Sequence, residues 1–586
     1  MTINRANINS LWASLLIEEL TRHGVDYACI SPGSRSTPLT VAAAAHDAVN
    51  NLVHFDERGA AFHALGYARA TGKPAVLICT SGTALANYLP AVVEAHMAML
   101  PMILLTADRP PELQNCGANQ TITQPGIYSH FVRDEILLPC PDISSDPRAM
   151  LTLIDQAAAK ATANPPGPVH VNCPFREPLA PVDSDQDFSA HLAALKDWLG
   201  GRQPLEHIKY PDTPTTASQA ASEAIEVLTS AENGLLVVGR IRQYGDREAV
   251  LGLARHLGWP LLPDITSGLR LGITESMVVP YYDQIIAASG DDKSLAPDVC
   301  LHLGGAFTSK RMLRFLDINR PGRYIHVESH DRCIDPNHQV TMRPQLGIDS
   351  FCGTVAERLA DRPASARLAR FRQLSRIVDE AIDSVLSAEA PLTEPGIARA
   401  ISRMIPPDHG LFLASSLPIR EMDWFAASDG HPVRVASNRG ASGIDGTVAS
   451  AAGYAVGLNR PVTLLIGDLA LLHDLNSLAM LPALPVPVTV IVVNNDGGNI
   501  FSLLPIAEHT DVFERFFRMP HGLYFDRAAE MFGLSYSLVD SMTSFTEAYT
   551  TAEEGDGSRL IEAVVEPAGT RRTHNDIVAA IRSRLA

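Results

Sequence analysis

The stretch from Gly467 to Asn495 constrains the fold of this chain more than any other. An apolar run at 462–466 predicts a buried strand that delivers Asp468 at its carboxyl end. A second apolar run at 488–493 predicts another strand, which leads into Asn495. The spacing leaves room for one helix, so we predict a β-α-β unit with both polar ends at one sheet edge. Carboxylate and amide oxygens there suit Mg²⁺, and Mg²⁺ suits a diphosphate.

Short apolar runs also alternate with helical patterns in the first block of the chain. The loop at 31–38 is rich in hydroxyls and carries one cation, Arg35. It is interpreted either as a strand–turn–helix connection with a hydroxyl cap or as part of a binding site. Glu57 follows a predicted strand and opens an Ala-rich helix. Because acidic residues are favoured at helix starts, a structural role accounts for Glu57 as readily as a functional one.

Other predicted strand ends carry cations or glycines. The adjacent pair Lys310 and Arg311 either lies on the solvated surface or holds an anion. Gly440, Gly443 and Gly446 indicate either close approach of the backbone to a ligand or a loop that needs unusual backbone angles. The local sequence does not decide between the two interpretations of either loop.

The alternation of strands and helices along the whole chain predicts an α/β protein with doubly wound, mainly parallel sheets. We expect three such domains, over residues 1–185, 200–360 and 385–586, with a linker-like segment at 200–216. The first and third blocks look like the same architecture used twice. The central block carries no complete G-x-G-x-x-G fingerprint.

Composition limits the classes of partner. A net charge of −18 argues against nucleic acid or an anionic membrane as a general partner. It also means that an anionic substrate would need a local cluster of Arg and Lys. The eight Cys form no C-x-x-C pair, which predicts reduced and mostly buried thiols. The chain shows no apolar signal core and no run long enough to span a bilayer, so we expect a cytoplasmic protein.

Four positions carry a resemblance to the thiamine-diphosphate enzymes. Asp468, Asn495 and the carbonyl of Gly497 resemble the Gly-Asp-Gly…Asn-Asn motif with which these enzymes bind Mg²⁺ and diphosphate, except that Leu469 replaces the second Gly. Glu57 resembles the glutamate that they set against the pyrimidine ring of the cofactor. Three α/β domains in the order pyrimidine-binding, central and diphosphate-binding match that superfamily over nearly the whole chain.

Five longer motifs narrow the resemblance to one family. They look like the menaquinone-pathway synthases of 2-succinyl-5-enolpyruvyl-6-hydroxy-3-cyclohexene-1-carboxylate (SEPHCHC), in which Leu at the position of Leu469 is also acceptable. The motifs occur in the same order and lie at 31–38, 54–59, 116–120, 437–446 and 494–505.

The resemblance implies a reaction and its cofactors. The enzyme would decarboxylate 2-oxoglutarate and add the succinyl-semialdehyde carbanion to isochorismate in a Stetter-like conjugate addition. It implies thiamine diphosphate and Mg²⁺, with Mn²⁺ as an alternative metal. Glu57 would hydrogen-bond the pyrimidine ring, and Ile444 would hold the cofactor bent. The implied cofactor contacts are Glu57, Ser416, Ile444, Asp468, Asn495 and Gly497, of which the last three would hold the metal.

The implied substrates are both dicarboxylates, so the resemblance assigns them to cationic loops. Arg can bind a carboxylate through two parallel hydrogen bonds. Arg420 and Arg439 would hold the succinyl side. The isochorismate side is assigned to Ser34, Arg35, Gln120, Lys310 and Arg311, and Arg109 and Asn119 are further expected substrate contacts. Ile500, Phe501 and Leu504 would form an apolar wall that excludes water, although the same three residues could be plain helix core.

Two rival functions remain. Another thiamine-diphosphate 2-oxoacid decarboxylase or carboligase would share Glu57, Asp468 and Asn495 but would not need the six cations. A non-catalytic scaffold could have kept the fold, although the complete set of metal ligands argues against it. Because superfamily members build their sites between subunits, the resemblance also implies at least a homodimer, with a homotetramer expected.

Overall fold

Three parallel sheets organise the chain, which confirms the predicted α/β fold. The computed structural model describes residues 3–208, 217–289, 292–387, 391–553 and 555–585. Within these residues the sheets have six, four and six strands. The predicted linker at 200–216 lies partly outside the described residues, and the three domain bounds stay a prediction.

The first sheet has the strand order β2-β1-β3-β4-β6-β5. Its central strands are wholly buried, as expected for strands covered on both faces. Its strands are β1 Tyr27–Ile30, β2 Asn50–Val53, β3 Ala75–Cys79, β4 Met102–Asp108, β5 Asp134–Leu137 and β6 Pro168–Pro174. The accompanying helices are α1 Ile8–Arg22, α2 Thr37–Ala44, α3 Glu57–Thr71, α4 Thr83–Ala86, α5 Leu89–Ala98, α6 Pro147–Thr162, α7 Ser189–Ala193 and α8 Lys196–Gly200.

The second sheet is the smaller one, with the order β10-β9-β7-β8. Its strands are β7 Gly234–Val238, β8 Leu261–Pro263, β9 Val299–Leu303 and β10 Arg323–Val327. Its helices are α9 Ala217–Ser230, α10 Asp246–Leu257, α11 Tyr282–Ser289, α12 Lys310–Ile318, α13 Ile348–Arg358 and α14 Ala366–Val385.

The third sheet, of order β12-β11-β13-β14-β16-β15, repeats the pattern of the first. Its strands are β11 Gly410–Leu413, β12 Arg434–Ala436, β13 Val462–Gly467, β14 Val488–Asn494, β15 Ser535–Val539 and β16 Arg559–Val564. The helices in this part of the chain are α15 Glu394–Met404, α16 Leu417–Phe425, α17 Thr447–Leu458, α18 Asp468–His473, α19 Thr510–Phe513, α20 Asp526–Met531, α21 Met542–Glu553 and α22 Pro567–Leu585.

Short 3-10 helices occur in the connections, and one of them corrects a prediction. The crossover from β13 to β14 is not one α-helix: α18 is short and a 3-10 helix at Leu475–Ala483, with Pro482 inside it, completes the connection. The ring of Pro482 and its missing N–H oppose a regular α-helix there. The remaining 3-10 helices are Pro111–Leu113, Ser129–Phe131, Ile265–Ser267, Lys293–Leu295, Asn499–Leu503 and Pro505–Glu508, with a π-helix at Glu514–Arg518.

The described chain divides into two compact units. The first contains residues up to 210 together with 438–460 and 472–488, and the second contains the rest. Within the first unit, α3 and α17 cross at backbone contact. A Cβ atom at Gly66 would lie 2.0 Å from the carbonyl oxygen of Ser450, and one at Gly453 would lie 1.9 Å from that of His63. Only glycine fits at these two positions, so the crossing holds Glu57 and the loop before α17 in a defined arrangement.

The burial of the cysteines and the length of the apolar helices can be compared with what the sequence predicted. Cys29, Cys79, Cys173, Cys300 and Cys352 are buried, and all eight cysteines are free, as predicted. Among the described residues, no helix combines the length and apolar composition needed to cross a bilayer.

A buried carboxyl pair ties the segment after α8 to the first sheet. Glu19 accepts hydrogen bonds from the indole N–H of Trp198 and the backbone N–H of Leu205, each at 2.6 Å. Asp155 accepts from the backbone N–H of Glu206 at 3.0 Å and contacts His23 at 2.6 Å. Burial and the neighbouring Asp155 raise the pKa of Glu19 to about 8. Glu19 is therefore mostly protonated at neutral pH.

We predict that this attachment loosens at alkaline pH. The pKa of Glu19 rises from 4.5 to about 8 on folding, so the folded state binds the extra proton in that interval. Its stabilisation is complete below pH 4.5 and is lost as the pH rises through 8. The amides of Leu205 and Glu206 should exchange faster at pH 9 than at pH 7, after correction for intrinsic rates. Asp155→Asn should flatten this dependence; an equally steep dependence in that variant would contradict the influence of Asp155 on the pKa of Glu19.

Candidate active site

The carboxyl ends of β13 and β14 meet, as the sequence predicted. Asp468 is 2 % exposed and starts α18. One of its oxygens accepts from the backbone N–H groups of Asn495 (3.2 Å) and Gly497 (2.9 Å), and the other accepts from that of Leu469 (2.6 Å). Burial raises the pKa of this carboxyl, while the backbone donors and His521 oppose the rise. Asp468 is thus held in one orientation beneath the turn after β14.

Asn495 presents an unsatisfied oxygen at this edge. Its side chain is buried, and its Nδ2 donates to Glu394 at 3.0 Å. Its Oδ1 is buried and accepts no hydrogen bond from any residue that the structure describes. Because buried polar atoms are almost always paired, this oxygen is a candidate for a ligand absent from the polypeptide.

Gly497 completes the turn, and no other residue would fit there. Its φ is +133°, and a Cβ atom would lie 2.1 Å from the carbonyl oxygen of Arg518. A carboxylate (Asp468), an amide oxygen (Asn495) and a backbone carbonyl (Gly497) form the all-oxygen set that Mg²⁺ prefers. The residues present therefore fit a Mg²⁺ ion and its diphosphate.

Two residues near this set were missed by the sequence analysis. His521 lies with its Nε2 3.3 Å from Asp468 Oδ2. Glu394, in the first turn of α15, is 3 % exposed, and its carboxyl oxygen accepts a hydrogen bond from the side chain of Asn495. Burial raises the pKa of Glu394 to about 7. Neither residue belongs to a recognisable local motif, so only the fold could reveal them.

Ser416 follows β11 as the residue before α16, and Arg420 lies within α16, both in the second unit. Ser416 has φ of +75° and precedes the first turn of α16. Arg420, half-buried, donates a hydrogen bond to the backbone carbonyl of Ser416. The strained backbone at Ser416 is typical of positions that the surrounding structure holds for a function.

Glu57 occupies the first position of α3 and is half-buried. The neighbouring Asp56 caps this helix, since its side chain accepts from the backbone N–H of Arg58 at 3.0 Å. The capping requirement of α3 is therefore met without Glu57, which weakens the purely structural explanation of that carboxylate.

The glycine-rich loop before α17 packs closely against the protein itself. Its glycines approach the protein itself: a Cβ atom at Gly440 would lie 2.7 Å from the carbonyl oxygen of Glu94, and one at Gly446 would lie 1.9 Å from the ring of Phe62. The carboxylate of Glu94 accepts from the backbone N–H groups of Gly440 and Ala441. The loop is thus anchored by internal contacts. Ile444, in the same loop, is 36 % exposed, so its side chain is available to a ligand.

Several predicted substrate residues of the first unit lie together. Arg109 donates to the backbone carbonyl of Asn119 through Nε (3.2 Å) and NH2 (3.0 Å). Burial and the positive charge of Arg109 lower the pKa of Arg35. Gln120 is bound to Ser81 by two hydrogen bonds of 3.0 Å. The loop at 116–120 is thus joined to the ends of β3 and β4.

Arg35 is buried and already has protein partners. It donates to the backbone carbonyl of Phe175 at 3.0 Å and lies 3.3 Å from the carboxylate of Glu177. Its Nε is buried and has no partner among the described residues. Ser34 beside it is exposed.

The remaining predicted substrate residues differ in their surroundings. Lys310 is exposed at the start of α12, whereas Arg311 pairs with the buried Asp283 and lies over the ring of Trp424. Arg439 is half-buried in the first unit. Ile500 and Phe501 are half-buried in their 3-10 helix, and Leu504 is 43 % exposed. These three side chains are therefore not helix core.

Family profiles cover most of the chain. The profile described as "Thiamine pyrophosphate enzyme, N-terminal TPP binding domain" matches residues 12–127. "Middle domain of thiamine pyrophosphate" matches residues 189–413, and "Thiamine pyrophosphate enzyme, C-terminal TPP binding domain" matches residues 426–563.

Curated relatives match at nearly full length. A SEPHCHC synthase of Rubrobacter xylanophilus is 47 % identical over 570 residues, which are 97 % of this chain and 98 % of the relative. The chain belongs to the SEPHCHC synthase family. Synthases of Prosthecochloris aestuarii and Salinibacter ruber are each 43 % identical, over 96 % and 99 % of this chain and 95 % and 98 % of theirs.

The fold has a counterpart among solved structures. A protein of Mycobacterium smegmatis, whose X-ray structure is assigned to the thiamin diphosphate-dependent enzymes, aligns with a TM-score of 0.70 at 17 % identity. The alignment covers 95 % of this chain and 99 % of that one. This likeness supports the three-sheet architecture of the SEPHCHC synthase family member described here.

Proposed function

We propose that this chain decarboxylates 2-oxoglutarate and adds the remaining four-carbon unit to isochorismate, which yields SEPHCHC and CO₂ for menaquinone biosynthesis. The observation that carries the proposal is the sequence identity to SEPHCHC synthases, in alignments that span nearly the full length of the chain. The oxygen ligand set at the ends of β13 and β14 supports it.

Thiamine diphosphate, when bound, stabilises the negative charge that decarboxylation leaves on the substrate carbon. Asp468, Asn495 and the carbonyl of Gly497 would hold Mg²⁺, or Mn²⁺, and through it the diphosphate. Asp468 would supply the negative charge. Asn495 would supply a side-chain oxygen that accepts no hydrogen bond from any described residue. Ser416 would contact the same cofactor.

Glu57 would act on a proton at the pyrimidine ring. As a half-buried carboxylate that its own helix does not need as a cap, Glu57 is free to hydrogen-bond a ring nitrogen. Such a bond favours the tautomer in which the exocyclic nitrogen can accept a proton. Ile444 would support the cofactor in a bent shape with its exposed side chain.

The substrates bring carboxylates into a chain with a net charge of −18, so local cations must bind them. Arg420 and Arg439 would orient 2-oxoglutarate. On the isochorismate side, Arg35 and Arg109 would carry the positive charge. The other proposed contacts on that side are Ser34, Asn119, Gln120, Lys310 and Arg311. Ile500, Phe501 and Leu504 would exclude water from the reacting carbon.

The family resemblance also supports an oligomer. We propose a homodimer at least, and a homotetramer as the full assembly. Sedimentation velocity on the purified chain tests this directly, since a monomer at micromolar concentration would contradict it.

Incubation with 2-oxoglutarate, isochorismate, thiamine diphosphate and Mg²⁺ tests the proposed reaction. We expect CO₂ release and a coupled product with the mass of SEPHCHC. Turnover of pyruvate without the coupled product would favour another 2-oxoacid decarboxylase or carboligase. Binding of cofactor without turnover of any 2-oxoacid would favour a scaffold.

Loss of either proposed succinyl-side cation should affect KM for 2-oxoglutarate selectively. A charge-assisted hydrogen bond is worth about 1.5–3 kcal/mol, so Arg420→Ala or Arg439→Ala should raise that KM by roughly 10- to 150-fold. Steady-state kinetics at saturating isochorismate measures the change. Cofactor affinity serves as the control, because an equal loss of thiamine diphosphate binding would mean that these residues serve the cofactor.

A further inference from the structure

One carboxylate oxygen of Glu394 lies under the proposed metal site and collects three side-chain donors. Its Oε1 accepts from Nδ2 of Asn495, Nδ2 of Asn499 and the hydroxyl of Thr570, each at 3.0 Å. All four residues are buried. A carboxylate can accept this many hydrogen bonds, and a neutral oxygen would accept them less strongly.

This contact decides which end of the Asn495 amide faces the metal. The nitrogen and oxygen of an amide have nearly the same shape, so hydrogen bonds alone distinguish the two orientations. Glu394 Oε1 acts as the acceptor in all three contacts, and it therefore selects the nitrogen of Asn495. With Nδ2 committed to Glu394, Oδ1 is left as the buried, unpaired oxygen of Asn495. The opposite orientation would present an NH₂ group to a cation.

The surroundings keep Glu394 itself in place. Thr393 caps α15, since its side chain accepts from the backbone N–H of Gly396, and Glu394 occupies the first turn, where the helix dipole favours a negative charge. Nearby, the buried Glu421 is paired with His574 at 2.9 Å. Asn499 begins the 3-10 helix that carries Ile500 and Phe501. The same oxygen of Glu394 thus links Asn495, the proposed metal ligand, to Asn499, which directly precedes Ile500 and Phe501.

We propose that Glu394 is a positioning residue for the metal: it turns the carbonyl of Asn495 toward the ion and holds it there. The proposal rests on the metal site of the proposed function. Its role is indirect, because Glu394 acts through Asn495 and does not itself bind the ion. Groups that orient a ligand typically affect metal affinity by about 10- to 100-fold.

The test measures metal dependence instead of turnover. Thiamine diphosphate is titrated calorimetrically into apo-protein at a series of Mg²⁺ concentrations, for wild type, Glu394→Leu and Glu394→Gln. We expect half-saturation by Mg²⁺ to rise roughly 10- to 100-fold in the Leu variant and about 3- to 10-fold in the Gln variant, which keeps an acceptor oxygen. Cofactor affinity at saturating Mg²⁺ should change much less.

The matched control is Glu562→Gln. Glu562 is also fully buried, and it accepts from Nδ2 of the neighbouring Asn494 at 2.6 Å. This variant should lower thermal stability without shifting the Mg²⁺ dependence. An equal shift in Glu562→Gln and Glu394→Gln would reduce Glu394 to a structural residue.

The possible outcomes distinguish failure of the proposed function from failure of the positioning role of Glu394. Failure of wild type to bind thiamine diphosphate with Mg²⁺ would overturn the proposed function. Normal binding by wild type together with a Mg²⁺ requirement in Glu394→Leu within twofold of wild type would overturn the positioning role alone. If the Leu variant does not fold, the Gln variant decides: an unchanged Mg²⁺ requirement there contradicts the proposal.

Discussion

Replacing Glu57 with Gln is expected to lower kcat by about 100- to 10,000-fold, which is the usual range for loss of a proton-transferring side chain. The amide keeps the size of the side chain but cannot hold the proton that a carboxylate holds at the pyrimidine nitrogen. The fold of α3 should survive, because Asp56 caps that helix. Product formation under saturating substrates measures kcat, and titration of thiamine diphosphate into apo-protein measures binding.

The control for this variant is Asp56→Asn, one residue earlier. Asn caps helices about as well as Asp, so this change should leave kcat within a few-fold of wild type. A Glu57→Gln enzyme with full turnover would remove Glu57 from the mechanism. A loss confined to cofactor binding would make Glu57 a binding residue only.

Asp468→Asn is expected to abolish Mg²⁺-dependent binding of the cofactor at millimolar Mg²⁺. The variant keeps the shape that accepts the backbone N–H groups of Asn495 and Gly497, but it loses the charged metal ligand. Since changes around a metal ligand already weaken affinity by about 10- to 100-fold, loss of the charge itself should exceed about 100-fold. Calorimetric titration of thiamine diphosphate with and without Mg²⁺ measures the effect.

Asp496→Asn provides the comparison for that variant. Asp496 lies between the proposed ligands in sequence, but its carboxylate is 41 % exposed and accepts from the backbone N–H groups of His521 and Gly522. Its replacement should leave the Mg²⁺ requirement nearly unchanged. If both variants lost metal dependence equally, the effect would reflect the turn as a whole and not the ligand at Asp468.

The strands that the sequence predicted are those with continuous apolar runs. β13 and β14 lie where the runs at 462–466 and 488–493 placed them, and each extends one residue further at its carboxyl end. Strands β5 and β15, by contrast, lie at sheet edges. Their side chains are mostly half-buried or exposed. An edge strand needs no continuous apolar run, so its sequence carries little periodic signal.

The residues of the candidate site also differ in how far the sequence revealed them. The ligands Asp468, Asn495 and Gly497 could be proposed from the sequence because they follow two strands of one β-α-β unit, and local spacing is visible in a sequence. For the glycines at 440 and 446 the sequence left two interpretations open, because a glycine's need for space does not reveal whether a ligand or the protein fills it. In the fold they contact Glu94 and Phe62.

The sequence alone determined the α/β class, the polar ends of β13 and β14 and, through five ordered motifs, the family. Only the tertiary structure decided which end of the Asn495 amide is free, because that depends on Glu394, which is 101 positions away. It likewise decided that Asp56 caps α3 and that Arg311 pairs with Asp283. Periodicity and turn chemistry act over a few residues, whereas a buried hydrogen bond joins whichever side chains the fold brings together.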